Sequence, residues 1–364
     1  MTIVGELGAM AGVEAIFEAA LRAGAHPSFH PKSERLHELL LRHGSDEQLR
    51  HTSPFEQHRL AHCDVLIVLN YARNARYLGG IDPARVAMAQ AARREFFTMS
   101  TKRAAAGEMR YCLVEIPGEA AAQDAGMSLA DYEDFVFRAG WLHLPDPVAA
   151  WRALGEQQQR VCDYLESKKV LRFRAPASDV RGAGSSGGRA GAQEGTDLTV
   201  DVSGRKWISC AGKDNFPDGE VFSGPRDAEG VVNFMYPASY RGQQVDGVRL
   251  AFKGGRVVEA SATRNEEYLI KMLDSDEGAR GMGEIAIGTN YGLTGPVCNP
   301  FFDEKIGGTF HLAVGGGFLE TGSTNESGLH WDMVSDLRRG GTIHADGELM
   351  QRDGRFVFPG WPGN

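Results

Sequence analysis

Two textures of apolar residues alternate along the first 180 positions. In "VEAIFEAALRAGAHPSF" apolar residues recur at helical spacing until Gly24, which predicts an amphipathic helix followed by a short extended piece. "CDVLIVLNYA" (63–72) is instead a continuous apolar run, as expected of a central parallel strand covered on both faces. "PARVAMAQAARREFFTMS" reads as helix, and "MRYCLVEIP" (109–117) as a second buried strand. "MSLADYEDFVFRAGWL" (127–142) sets Ser128 three residues before Asp131, a start resembling a capping box. "DPVAAWRALGEQQQRVCDYLESKKV" (146–170) predicts a long helix. Strands alternating with helices imply an α/β fold around a parallel sheet, so residues 1–180 are expected to form an α/β N-terminal domain.

The texture then changes. "RGAGSSGGRAGAQEG" (181–195) is rich in Gly and Ser and cannot bury a core, so it reads as a linker or loop. Its formal GxGxxG, from Gly182 to Gly187, lacks the apolar helix that a dinucleotide site needs. From 196 to 364 the pattern is mostly strand. "TDLTVDVSG" alternates Leu198, Val200 and Val202. "VRLAFKGGRVVEASAT" is a hairpin about Gly254 and Gly255, and "GTIHADGELMQRDGRFVF" a closing hairpin about Arg352, Asp353 and Gly354. One helix, "EEYLIKMLDSDEGAR" (266–280), interrupts them. The expectation is a β-rich α+β C-terminal domain.

Composition narrows the function classes. At 364 residues the chain suits roughly two domains. A net charge of -9 argues against a nucleic-acid partner, which needs a basic footprint, and against anionic membrane surfaces. No apolar stretch reaches the roughly 20 residues of a spanning helix, and "MTIVGELGAM" does not read as a signal peptide. The five cysteines are scattered, odd in number and without a CxxC, which suits small buried hydrophobes in a reducing cytoplasm.

Candidate chemistry lies in the β-rich half. In "GLHWDMVSDL" His330 and Asp332 are two residues apart, so a strand turns both to one face and Leu329, Trp331 and Met333 to the other. His311 sits between Phe310 and Leu312 in a strand with glycines on either side; Glu284 precedes Ile-Ala-Ile; Glu220 follows a Pro-Asp-Gly turn. Carboxylates buried among apolar residues are costly unless positive charge meets them. Two divalent cations such as Zn, Co or Mn would account for all five residues together. Such a pair, roughly 3.5–4 Å apart with a bridging hydroxide, is suited to peptide or amide hydrolysis. His344 and Asp346 repeat the two-residue step, but Gly347 follows at once and a hairpin turn is the expectation. The eight histidines between 26 and 143 read as surface residues. No GxSxG occurs, so a serine-hydrolase elbow finds no support.

"NFPDGEVFSGP", "EGARGMGEIAIGTNYG", "DEKIGGTFHLAVG" and "NESGLHWDMVSDLR", in that order, resemble the thermophilic aminopeptidase family of metallopeptidases (aminopeptidase T, aminopeptidase S and PepS type). "GIDPAR", "AGMSLADYEDFVFRA" and "DPVAAWR" extend the likeness into the first half. The resemblance implies a two-domain homodimer that removes single N-terminal residues from peptides with two divalent metals. It matches the metal ligands to Glu220, Glu284, His311, His330 and Asp332. Glu284 is set between the metals and is the expected general base. On this reading Glu220, His311 and Asp332 serve one ion, His330 the other and Glu284 both, while Phe222, Phe318 and Trp331 line a side-chain pocket.

The chain departs from the family in three ways. Phe318 stands where the family has a Tyr near the metals, which removes a donor worth roughly a hundredfold in rate if it acts on the transition state; Tyr291 is a candidate replacement. The 181–195 stretch is longer and richer in Gly than the resemblance leads one to expect, and a helix usually preceding the first strand is missing. Two alternatives remain open at this point. One is a ring-cleaving dioxygenase acting on dihydroxypyridines, with one Fe(II) held by His311, His330 and Asp332. The other is a metal-binding relative with little turnover because of Phe318.

Overall fold

The computed structural model describes residues 1–74, 77–177, 195–240 and 243–359. The expected 181–195 linker lies outside the described residues except for Gly195. Two compact units emerge: Met1–Val136 with Lys213–Pro217, and Phe137–Gly212 with Asp218–Asn364.

The first unit holds the expected parallel sheet. Its strands run in the order Ser28–Lys32, Thr2–Glu6, Val65–Asn70, Arg110–Glu115 and Asn215–Phe216, all parallel. Val65–Asn70 is the central strand, as its apolar run predicts. Arg110–Glu115 is less buried than its sequence suggests, with Tyr111 exposed. Ile3, Ala9, Val13 and Leu69 form the core of this sheet and its first helix, Met10–Arg22. The fifth strand comes from the second half of the chain, through a two-residue segment too short to carry a periodic signal.

The second unit is β-rich and larger than the 196–364 segment read from the sequence. The helix Pro147–Glu166 and strand Val170–Ala175, expected with the N-terminal part, belong to it. The physical reason is pairing: Val170–Ala175 is hydrogen-bonded between Thr196–Asp201 and Thr342–Ala345 in an eight-stranded antiparallel sheet. A second antiparallel sheet runs in the order His330–Asp336, Thr309–Gly315, Met282–Gly288, Glu220–Ser223, Ile208–Cys210. One face of each sheet meets in a common core, where Phe173 stacks on Phe310 at 4.5 Å. Leu198 and Val200 are buried in it, as the alternation requires.

Local chemistry revises two boundaries. The helix predicted over 266–280 stops at Leu273. Beyond it, Asp274 pairs with Arg280 at 2.7 Å and Asp276 accepts from the backbone N–H of Gly278, bonds that compete with helix. The closing hairpin is two turns: Asp346-Gly347 and Asp353-Gly354 both have positive φ, separating Thr342–Ala345, Glu348–Arg352 and Arg355–Phe356. Asp346 accepts from the N–H of Lys169 and Val170, so the second His-x-Asp is a structural turn, as expected. No helix among the described residues is long and apolar enough to cross a membrane.

Candidate metal centre

Strand parity assembles the site. Across the five-stranded sheet Ala313 pairs with Asp332 and Gly315 with His330; Glu284 pairs with Ala313 and Ala286 with His311; Gly288 pairs with Glu220. Paired residues share a face and alternate along each strand. All five ligand-type side chains therefore project from one face, while Trp331, Met333, Leu312, Val314, Ile285, Ile287 and Val221 project from the other into the core. A register shift between Met282 and Glu284 re-aims Glu284. Small residues make the room. A Cβ on Gly288 would lie 2.1 Å from the Ile306 carbonyl oxygen, and one on Gly283 would lie 2.3 Å from that of Gly316.

The distances close the cluster. His311 Nε2 lies 3.1 Å from Glu220 Oε2 and 3.6 Å from Glu284 Oε1. His330 Nε2 lies 3.3 Å from Glu284 Oε2 and 3.4 Å from Asp332 Oδ2. Glu220–Glu284–His311 and Glu284–His330–Asp332 are thus two groups of potential ligand atoms sharing one carboxylate, each with its atoms within 4.8 Å of one another. His311 is 1% exposed and Glu284 4%, while His330 and Asp332 keep some access to solvent, so the centre opens at that end. His330 Nδ1 is 2.7 Å from the Gly316 carbonyl oxygen; donating there, it fixes the ring so that Nε2 faces the carboxylates.

Charge runs in one direction here. Burial favours the neutral form of Glu220, but the Lys305 ammonium and the His311 imidazole outweigh it and hold the carboxyl at about 2. Burial works against charge on His330, yet Asp332 and Glu284 push it up to about 12, and Glu220 and Glu284 raise His311 as well. The buried oxygens Glu220 Oε2 and Asp332 Oδ1 make no hydrogen bond. Crowded carboxylates, imidazole nitrogens facing them and orphaned oxygens form a donor set that fits divalent cations.

Four residues at the cluster went unnoticed in the sequence. Asp218, read as part of a turn, is buried and accepts from the N–H groups of Gly212 and Gly219; burial raises it to about 7. It groups with Cys210 and Glu220. Glu304 groups with His311 and Asp332. Lys305 is 2% exposed, its Nζ 2.6 Å from Glu220 Oε1 and 2.5 Å from Glu304 Oε1. The available signal was charge set among Gly and apolar residues in "PDGE" and "DEKIGG", the pattern that had singled out Glu220 and Glu284.

The aromatic neighbours divide. Phe318 is 39% exposed, its ring 5.2 Å from that of His330 and 5.1 Å from that of Phe222. Trp331, expected in the same pocket, is 1% exposed on the opposite face and stacks on Tyr240; the parity that aims His330 at the cluster turns Trp331 away. Tyr291 does not supply the missing hydroxyl in this structure: its Oη donates to the Gly354 carbonyl oxygen at 2.8 Å, and burial pushes the phenol up to about 12.

Residues 1–356 match the family model for thermophilic metalloproteases (M29). Aminopeptidase 2 of Geobacillus stearothermophilus is 29% identical over 95% of this chain and 90% of its own length. Aminopeptidase T of Thermus aquaticus is 30% identical over 74% of this chain and 66% of its own. Wild-type AmpT from Thermus thermophilus shares the fold, with a TM-score of 0.81 over 98% of this chain and 94% of that one, at 24% identity.

Proposed function

The chain belongs to the thermophilic metalloprotease (M29) family and is a metal-dependent hydrolase of aminopeptidase type; from that premise we propose a dinuclear centre that releases the N-terminal residue of a peptide or small amide. One ion takes Glu220, Glu284 and His311, the other Glu284, His330 and Asp332. Asp332, assigned on sequence grounds to the ion of His311, groups with His311 and Glu304 as well as with His330; this reading gives it to the ion of His330, whose Nε2 lies 3.4 Å from its Oδ2. The observation that carries the reading is the sharing of Glu284 between two groups of potential ligands.

The ions, Zn, Co or Mn, supply Lewis acidity toward the scissile carbonyl and lower the pKa of water. The chain does the rest. Glu284, between the imidazoles, accepts the proton of the attacking water. The Gly316 carbonyl orients His330. Phe318 and Phe222 offer an apolar surface to the substrate's first side chain. The single-iron alternative finds no support, because no group of three potential ligands among the described residues contains both His311 and His330. We further propose a homodimer, checked by light scattering on the purified protein.

Metal analysis after dialysis, run beside a panel of aminoacyl-anilides, tests the proposal. Two ions per chain and anilide cleavage are expected. One ion or none refutes the pair, and a two-metal protein that leaves every anilide and peptide intact refutes the aminopeptidase.

A further inference from the structure

Among the buried charged groups, Lys305 has no part in the chemistry above. Its Nζ nevertheless lies 2.6 Å from Oε1 of Glu220, a proposed ligand, and 2.5 Å from Oε1 of Glu304, which itself approaches His311 and Asp332. An ammonium sealed from water must be paired to be tolerated, and two carboxylates pair it. Pairing alone does not account for which oxygens are used. Glu220 presents Oε1 to the ammonium and Oε2 to His311, so its two oxygens are divided between the lysine and the cluster. The lysine is firmly placed, because its backbone N–H donates to the Phe302 carbonyl and its own carbonyl accepts from Asn290.

We propose that Lys305 is a positioning residue of the metal centre: by occupying one oxygen each of Glu220 and Glu304 it holds Glu220 to a single coordinating oxygen and sets a fixed positive charge beside the first ion. The inference rests on the dinuclear reading and adds its consequence. The ammonium lowers both the affinity and the coordination number of the ion at Glu220–Glu284–His311. Without it, Glu220 chelates with both oxygens and the repulsion of a buried positive charge is gone.

The test uses Co(II), whose visible absorption weakens as coordination number rises. Wild-type protein, Lys305→Met and the charge-balanced Lys305→Met/Glu304→Gln are titrated with Co(II) against a competing chelator, with folding checked by circular dichroism. Wild type is expected to take up two ions. Lys305→Met is expected to bind the ion at Glu220–Glu284–His311 roughly tenfold or more more strongly, and both variants are expected to show a weaker visible band. The double variant keeps the test available if the single one fails to fold, since it removes the Glu304 carboxylate that Lys305→Met alone leaves without its cation. An unchanged spectrum in a folded variant, or unchanged or weaker binding by folded Lys305→Met, overturns the role of Lys305 and leaves the two-ion centre standing. A wild type without two ions fails the underlying reading instead.

Discussion

Replacing Glu284 by glutamine preserves the shape of a side chain that is 4% exposed and takes away its charge. Glu284 is shared by both ligand groups, with one oxygen toward His311 and the other toward His330, so one substitution weakens two sites. A unit charge at about 4 Å is worth about 4 kcal/mol at the effective dielectric of a partly wet protein. Against a divalent ion, the loss therefore exceeds a thousandfold in affinity at each site. Each ion held at a hundredfold excess over its dissociation constant stabilises the folded state by about 2.7 kcal/mol, so the pair contributes about 5 kcal/mol. For a unit of this size that corresponds to a rise in Tm of roughly 10–20 °C on adding metal. In Glu284→Gln the rise should vanish. In Glu220→Gln or Asp332→Asn, each confined to one of the two proposed sites, about half should survive. Differential scanning calorimetry with and without metal reads this within each variant, so any change in the metal-free protein cancels. A Glu284→Gln protein that keeps two ions and the full rise refutes the shared-carboxylate argument.

Phe318→Tyr places a hydroxyl beside the imidazole of His330; kcat on aminoacyl-anilides should rise by up to roughly a hundredfold with Tm unchanged, and an unaltered kcat shows that the phenol is not the missing element. Burial raises Glu115, which accepts from Asn70, to about 7 against an ordinary 4.5, so the folded state prefers the neutral acid and loses stability as pH rises between those values. Glu115→Gln should therefore gain roughly 1–3 kcal/mol at pH 8 and almost nothing at pH 4, read by urea denaturation at both. Gly288→Ala drives a methyl into the Ile306 carbonyl oxygen at 2.1 Å and should lower stability by more than about 3 kcal/mol; a variant as stable as wild type shows that the strand can shift away.

What was legible in the sequence follows the range over which each constraint acts. The two-residue step from His330 to Asp332 is a property of one strand, and the strand His330–Asp336 bears it out. Glu220, Glu284 and His311 stood out because an isolated polar residue among apolar neighbours signals an unmet electrostatic need. Their meeting was legible through the resemblance to the metallopeptidase family and not through any local pattern. It depends on registers between strands as distant as Glu220–Ser223 and His330–Asp336, and on a shift at Met282 that no local pattern encodes. The unit boundaries escaped for the same reason, since Val170–Ala175 and Asn215–Phe216 are assigned by the strands they pair with.

Trp331 and Lys305 differ in what the sequence says of them. Strand parity alone sets Trp331 on the face opposite His330, in the core and away from any pocket at the cluster. Lys305 violated no rule. A lysine after two acidic residues ordinarily denotes a solvated turn, and only the fold reveals that carboxylates from two segments enclose it. The difference is physical. Parity belongs to one strand, whereas burial of a charge becomes tolerable only after distant partners assemble around it. Among residues close to such a centre, the lone charge that looks most soluble in sequence is therefore the one whose surroundings most need to be established from the structure.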